Sequence, residues 1–409
     1  MTDDTSRVPK LRFPGFAGAW EQRKLGSVIE ERNIQQAQSR KYPLVSFTVE
    51  QGVTPKTKRY EREQLVVGDK ASKKYKITEY NDIVYNPANL KFGAISRNTY
   101  GNAVFSPIYV TFVVDLEVAS PSFIGLFVTR QDFIQRSLMY QQGTVYERQS
   151  VNPEDLLSMN CYLPSRPEQE SISLLFGQLD DLITLHQRKL SHLRELKRGL
   201  LQKMFPKSGE DRPEVRFPGF VDAWEQRKLG DIADVVGGGT PDTGNPDYWN
   251  GDIDWYAPAE IGESVFVSES QRKITTLGLR KSSAKMLPPG TILFTSRAGI
   301  GNTAILAVSA CTNQGFQSIV PHPEVADSYF IFARSSQLKR YGEKVGAGST
   351  FVEVSGKQMS KMPLRVPVLQ EQCRIGTLFR QIDDLIALHQ RKLSHLQQQK
   401  KALLQQMFV

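Results

Sequence analysis

Residues 176–205 read FGQLDDLITLHQRKLSHLRELKRGLLQKMF and residues 379–408 read FRQIDDLIALHQRKLSHLQQQKKALLQQMF, identical at twenty-one of thirty positions. Alternating steps of four and three run through the first copy as Ile172, Phe176, Leu179, Ile183, His186, Leu190, Leu193, Lys197, Leu200 and Met204. The second copy repeats them as Ile375, Phe379, Ile382, Ile386, His389, Leu393, Leu396, Lys400, Leu403 and Met407. That spacing is the seam of a coiled coil, and two seams of equal length in one chain most simply pack against each other. Pro164, Pro167 and Pro367 mark the helix starts, and Pro206 closes the first helix. Each helix is expected to run for about 38 residues, or about 57 Å at a rise of about 1.5 Å per residue. Leu175, Leu182 and Leu201 widen the apolar stripe beyond a two-position seam, which predicts a further contact with the rest of the chain or with a partner.

A second repeat has nearly the same period. Residues 10–26 are KLRFPGFAGAWEQRKLG and residues 214–230 are EVRFPGFVDAWEQRKLG, thirteen of seventeen identical. The period is too long for a solenoid unit, so the chain is a tandem duplication of a domain-sized module. The segments follow as an N-terminal block over 1–26, a variable region over 27–165, a spacer helix over 166–206, a linker with the repeated block over 207–230, a second variable region over 231–367 and a second spacer helix over 368–409. If the helices run antiparallel, the two modules are related by a pseudo-twofold axis, and the chain termini lie close together.

The variable regions are rich in Val, Ile, Tyr, Phe and Thr punctuated by Gly, Pro and Asn, as in NDIVYNPANLKFGAI and GTILFTSRAGIGNTAIL, which predicts short strands joined by turns. Helical spacing returns in SFIGLFVTRQDFIQRSLMY and ADSYFIFARSSQLKRYG. The two regions share only a faint frame, Gly143-Thr144-Val145-Tyr146 with Gly348-Ser349-Thr350-Phe351 and Leu163-Pro164 with Val366-Pro367. The fold class expected is therefore α+β: two mixed α/β domains separated by two long antiparallel coiled-coil helices.

The chain of 409 residues has a formal net charge of +9 and a sequence pI near 9.3, which suits a polyanionic partner without identifying one. Three scattered cysteines, Cys161, Cys311 and Cys373, fit a reduced compartment. The start MTDDTSRVPK lacks the basic and apolar regions of a signal peptide, and no stretch approaches the ~20 apolar residues of a membrane helix. A cytoplasmic protein is expected.

No motif for catalysis is complete. Gly237-Gly238-Gly239-Thr240-Pro241 lacks the lysine and hydroxyl of a P-loop, and Ser355-Gly356-Lys357-Gln358 has Gly-Lys without the hydroxyl that follows it. Arg297-Ala298-Gly299-Ile300-Gly301-Asn302 reads as a turn between strands. Asn86-Pro87-Ala88-Asn89 lacks the second proline and the aromatic of an amino-methyltransferase site. His186 and His389 share a seam position and read as a register-setting pair rather than a metal site; His192 and His395 lie off that seam. Asp180-Asp181 and Asp383-Asp384 read as a helix edge, and Trp20 and Trp224 as packing anchors. No metal site and no catalytic residue is assigned.

Candidate DNA contacts are the basic residues of the variable regions: Lys56, Lys58, Arg59, Lys73, Lys74, Lys76, Lys91 and Arg97 in the first, and Arg272, Lys273, Lys281, Lys285 and Arg297 in the second. Lys70 and Arg280 lie in the same runs. Tyr60, Tyr75, Tyr80 and Phe92 are interleaved with the first set. Lysine and arginine neutralise phosphates, and the few that reach a groove floor read guanine through paired hydrogen bonds.

With two variable domains, two repeated helices, the R-F-P-G-F…W start to each half and no catalytic motif, the chain resembles the specificity subunit of type I restriction-modification enzymes. Further residues carry the resemblance: GGGTPDTGNPDYWNGDIDWYAPAEI from Gly237, LPPGTILFTSRAGIGNTAI from Leu287, GAGSTFVEVSGKQMSKMPLRVP from Gly346, and QLDDLI and QIDDLI in the helices. The resemblance implies a non-catalytic scaffold whose variable regions are target recognition domains, each reading one half of a split, asymmetric site in double-stranded DNA. It implies docking of two methyltransferase and two restriction subunits, with S-adenosylmethionine, ATP and magnesium held by those partners and no cofactor by this chain. A two-module protein-binding scaffold with incidental charge is the alternative reading.

Overall fold

The computed structural model describes residues 7–56, 73–142, 149–297, 299–346 and 353–409. It divides into two compact units, Met1–Leu185 with Leu393–Val409, and His186–Lys392. The units do not end where the repeats end, because each long helix contributes one stretch to each unit. Lys58, Arg59, Lys70 and Tyr60, and the matched segments Gly143–Tyr146 and Gly348–Phe351, lie outside the described residues.

In the first unit, β1 (Glu21–Lys24) pairs antiparallel with β11 (Asn160–Leu163). A four-stranded sheet has the order β2 (Ile29–Glu31), β10 (Val110–Val114), β7 (Ile83–Tyr85), β8 (Ile95–Arg97). A three-stranded sheet joins β3 (Gln35–Gln36), β6 (Tyr75–Thr78) and β9 (Ala103–Phe105), and β4 (Val45–Thr48) forms a hairpin with β5 (Gly52–Pro55). Strands β6, β7 and β9 are buried along their whole length; β7 and β9 are apolar runs without alternation, while β6 also buries Lys76 and Thr78. The helical spacing of 122–140 corresponds to α1 (Pro121–Val128) and α2 (Gln131–Leu138); α3 (Pro153–Ser158) precedes β11, and α4 (Arg166–Lys203) is the first long helix.

The second unit repeats the frame. β12 (Glu225–Lys228) pairs with β21 (Pro363–Val366) in the same register. A five-stranded sheet has the order β13 (Ala233–Gly237), β20 (Gln317–Pro321), β17 (Ile292–Phe294), β18 (Thr303–Leu306), β15 (Phe266–Val267). A smaller sheet joins β16 (Arg272–Ile274), β14 (Trp249–Tyr256) and β19 (Cys311–Thr312). The helices are α5 (Thr276–Arg280), α6 (Ser328–Phe332), α7 (Ser335–Gly346), α8 (Gly356–Ser360) and the second long helix α9 (Leu369–Gln406). Helices α4 and α9 have 38 residues each. Between β17 and β18, Gly299 and Gly301 adopt φ of 108° and 95°, the left-handed backbone a turn there demands.

What repeats is a set of contacts as well as a fold. Arg12 donates two bonds of 2.7 Å to Glu168 in the first turn of α4, and Arg216 donates two of 2.7 Å to Glu371 in the first turn of α9. Both carboxylates are fully buried, where an unpaired charge is costly. The neighbouring glutamines also act alike. Gln169 accepts from Ser120 N–H and donates to the Pro164 carbonyl, and Gln372 accepts from Asp327 N–H and donates to the Pro367 carbonyl. Trp20 packs edge-on against Phe123 and Phe408, as Trp224 packs against Phe330 and Phe205. Both tryptophans are sealed in the core, which removes them from base stacking. The backbone N–H of Leu11 donates to Gln406 and that of Val215 to Lys203, so each R-F-P-G-F block is sewn to the end of a long helix.

Within each unit the stretches of α4 and α9 meet in opposite order. In the second unit His186 lies against His389 and Lys197 against Asp383; in the first, Asp180 lies against Lys400. All the seam positions are buried or half-buried. Leu175 and Leu201 are half-buried, whereas Leu182 and Leu185 in α4, and Leu385 and Leu388 in α9, stay exposed. No helix among the described residues is long and apolar enough to cross a membrane.

Candidate nucleic-acid interface

In the second unit three loops converge beside the β14–β16 edge, held by two tryptophans. Trp255 Nε1 donates to the Gly239 carbonyl at 2.8 Å and Trp249 Nε1 to the Asp242 carbonyl at 3.1 Å, so the indoles fix the glycine-rich loop from below. A Cβ on Gly238 would lie 2.0 Å from the Asn313 carbonyl oxygen, and one on Gly239 2.3 Å from the Ser283 backbone. Glycine is required there for close packing of loops, not for cradling a phosphate. Thr240 donates to Gln314 across the junction.

The basic candidates of this unit sit around that junction. Lys281 and Lys285 are exposed on the segment beside Gly239, and Arg297 lies over Gly315, with Nε 3.6 Å from where a Cβ would stand. Arg272 stacks its guanidinium 3.7 Å above the Trp249 ring. That stacking fixes the side chain at little entropic cost while leaving it exposed to a partner. Lys273 is offset by Asp254 at 3.5 Å and Glu269 at 3.9 Å, which reduces the charge it presents. Thr240 and Gln314 were not singled out by charge; they are the hydroxyl and amide at the centre of the face, able to donate and accept toward base edges.

The first unit gathers its candidates less tightly. Lys91 lies 5.2 Å over the exposed Phe92 ring, beside a cavity of about 180 Å³ lined by Phe47, Val49, Asn86, Asn89, Phe92 and Tyr109. Lys73 lies 5.6 Å over Tyr75, and Lys74 is exposed next to it. Lys56 is half-buried at the end of β5, and Arg97 is held by Asn81 Oδ1 at 2.7 Å while packing on Gly125. Lys76 requires a correction: it is buried in β6 with Nζ 2.6 Å from Glu31, so its charge is spent inside the fold and it leaves the candidate set. Asn86 also has a structural role. Its side chain accepts from the N–H groups of Ala88 and Asn89 and caps a short turn of helix.

The His186 and His389 rings approach to 2.8 Å between Nδ1 atoms on the seam. Burial first, and then His389, Lys392 and Lys189, hold His186 below the ordinary histidine pKa. Among the described residues no group of three His, Cys, Asp or Glu side chains is placed to hold a metal ion. Asp383 is the hub of a polar contact: Lys197 donates to both its oxygens at 2.6 and 2.8 Å and the Tyr329 hydroxyl donates at 2.8 Å.

Residues 222–398 match the family described as type I restriction modification DNA specificity domain. Over 166 residues the chain is 37% identical to the type I restriction enzyme MjaIX specificity subunit of Methanocaldococcus jannaschii, covering 40% of this chain and 38% of that protein. Over 169 residues it is 30% identical to the EcoR124I/EcoR124II specificity subunit of Escherichia coli, covering 39% of this chain and 41% of that one. These alignments thus span well under half of either relative. A crystal structure of a type I restriction-modification S subunit from M. genitalium aligns over 98% of this chain and 99% of its own, with 15% identity and a TM-score of 0.65, a likeness of fold. Residues 222–398 are thus similar to type I restriction-modification DNA specificity domains. The internal repeat relates the first half of the chain to that matched region.

Proposed function

We propose that this chain is the non-catalytic DNA-reading subunit of a type I restriction-modification complex. The contrast between frame and face carries the reading: the Arg–Glu, Gln and Trp–Phe contacts recur residue for residue in the two units, while the candidate interfaces share almost nothing. One frame with two different faces suits a split, asymmetric site, one half per target recognition domain. The long helices, about 57 Å each, act as the antiparallel spacer, and their repeated surfaces dock two methyltransferase subunits, with two restriction subunits completing the complex. In this reading S-adenosylmethionine, ATP and magnesium are held by those partners in the cytoplasm.

The test combines two measurements. Mapping methylated adenines in cells carrying this subunit with its methyltransferase is expected to yield one bipartite, non-palindromic motif. Lys281→Gln with Lys285→Gln, assayed on a short duplex bearing that motif, is expected to flatten the dependence of log Kd on log salt by about one unit for each phosphate left without its lysine. Binding that is weak and independent of salt even with methyltransferase present favours the protein-binding scaffold instead.

A further inference from the structure

The internal repeat provides a control for a cavity that the DNA-reading role leaves unused. In the second unit a cavity of about 1090 Å³ lies between α4, α7 and β21. Seven lysines and arginines line it against two carboxylates, Glu210 and Asp383, and Asp383 is already held by Lys197. Its deepest cation is Arg334, only 6% exposed, lying 5.3 Å over Phe205 and 5.6 Å over Phe330. Arg334 Nε donates to Gln337 and Nη1 to the Arg365 carbonyl, both neutral acceptors. Burial alone pushes its pKa down to about 10, with no carboxylate opposing the shift.

The equivalent in the first unit is Arg130, equally buried, 4.8 Å over Phe408 and 5.9 Å over Phe127. There the chain supplies its own anion. Asp132, in the first turn of α2, lies 2.8 Å from Arg130 and 3.6 Å from Arg136. In the second unit the arginines recur as Arg334 and Arg340, but the position of Asp132 is occupied by Ser336, exposed in the first turn of α7 at the cavity wall. Among the described residues neither Arg334 nor Arg340 has an ion-pair partner, and the N-terminus of α7 adds its own attraction for negative charge.

We propose that the cavity between α4, α7 and β21 is a docking site for an acidic peptide segment of a partner protein, whose carboxylate sits between Arg334 and Arg340 where Asp132 sits in the other copy. The internal copy argues for a carboxylate over a phosphate, because that is the anion this arginine pair takes when the chain provides it. The concave site has Arg194 and Arg198 of α4 on its far wall, so a segment carrying several Asp or Glu residues fits better than a single ion. The inference is independent of DNA reading.

The test uses the full chain and a fluorescein-labelled hexaglutamate peptide followed by anisotropy. Ser336→Asp restores the internal carboxylate and is expected to weaken peptide binding about tenfold or more, whereas the neutral Ser336→Asn retains it. Arg340→Gln, at an exposed position, is expected to weaken it as well. Both Ser336 variants alter a solvent-facing side chain, so thermal melts should stay cooperative. Equal binding by wild type and Ser336→Asp would overturn the site, placing the peptide on another basic surface. Displacement by inorganic phosphate more readily than by unlabelled hexaglutamate would overturn the carboxylate assignment in favour of a phosphate-bearing ligand.

Discussion

Arg216 grips Glu371 through two parallel hydrogen bonds of 2.7 Å, joining the second R-F-P-G-F block to the first turn of α9. Glu371 is fully buried and Arg216 is partly buried, and the hydrogen bond to Glu371 raises the Arg216 pKa. Removing only the cation strands a carboxylate where water cannot reach it. Arg216→Met is expected to destabilise the chain by about 3–5 kcal/mol, while Arg216→Met with Glu371→Leu recovers most of the loss. Chemical denaturation of the singles and the double decides it; a double as unstable as the single would mean that packing rather than charge sets the cost.

Asp383 joins the two long helices to α6 through Lys197 and Tyr329. Burial first, and Asp383 next, hold the Tyr329 phenol above its usual pKa, so the hydroxyl remains a donor through the alkaline range. Lys197→Met is expected to cost about 1–3 kcal/mol by leaving a half-satisfied carboxylate. In the equivalent pair Lys400 and Asp180 the carboxylate is much more exposed than Asp383, and removing the lysine is expected to cost under about 1 kcal/mol. Parallel urea titrations of Lys197→Met and Lys400→Met test the asymmetry, and equal effects would contradict it.

The histidine pair predicts a pH dependence of definite sign. His186 has its pKa lowered in the folded chain from an ordinary value of 6.5, so the unfolded chain binds the proton more readily. The stability contributed by neutral His186 is therefore present above that value and lost as pH falls through it toward the folded pKa. The melting temperature is expected to drop between about pH 7.5 and 5.5, and His186→Leu, which keeps an apolar seam residue, is expected to shrink the drop. An undiminished drop in that variant would assign the effect to other groups.

The sequence made the long helices legible because a heptad seam states its partner face in every turn, and His186 with His389, Phe176 and Phe379 stand where that spacing puts them. It could not reveal the ion pairs of the frame, since Arg12 and Glu168 are 156 positions apart and Arg216 and Glu371 155. The candidate site was legible only in outline. Charge marked Arg272, Lys281 and Lys285, but Thr240 and Gln314 are neutral and meet only when two loops fold together. Charge also misled: Lys76 looks like its neighbours Lys73 and Lys74, and only strand pairing shows that it turns inward to Glu31.

The first unit contains an aromatic socket that its own half of the chain cannot fill. Trp20, Phe123 and Phe176 surround the Phe408 ring at centroid distances of 6.0, 5.2 and 6.3 Å, and Phe408 belongs to the far end of the sequence. A fragment of residues 1–207 lacks it but carries its repeat equivalent, Phe205, which in the second unit packs against Trp224, Phe330 and Phe379 in the same manner. The fragment is therefore expected to homodimerise, each copy plugging the other's socket with Phe205 while the Ile183, Leu190 and Leu193 seams pair. Phe205→Ala should cost about 3–5 kcal/mol of that association, roughly two to four orders of magnitude in the dimer dissociation constant. Sedimentation equilibrium reads both effects. A wild-type fragment that stays monomeric at high concentration would show that the seam and socket are not self-complementary, and that the two halves have diverged in their frame as well as in their faces.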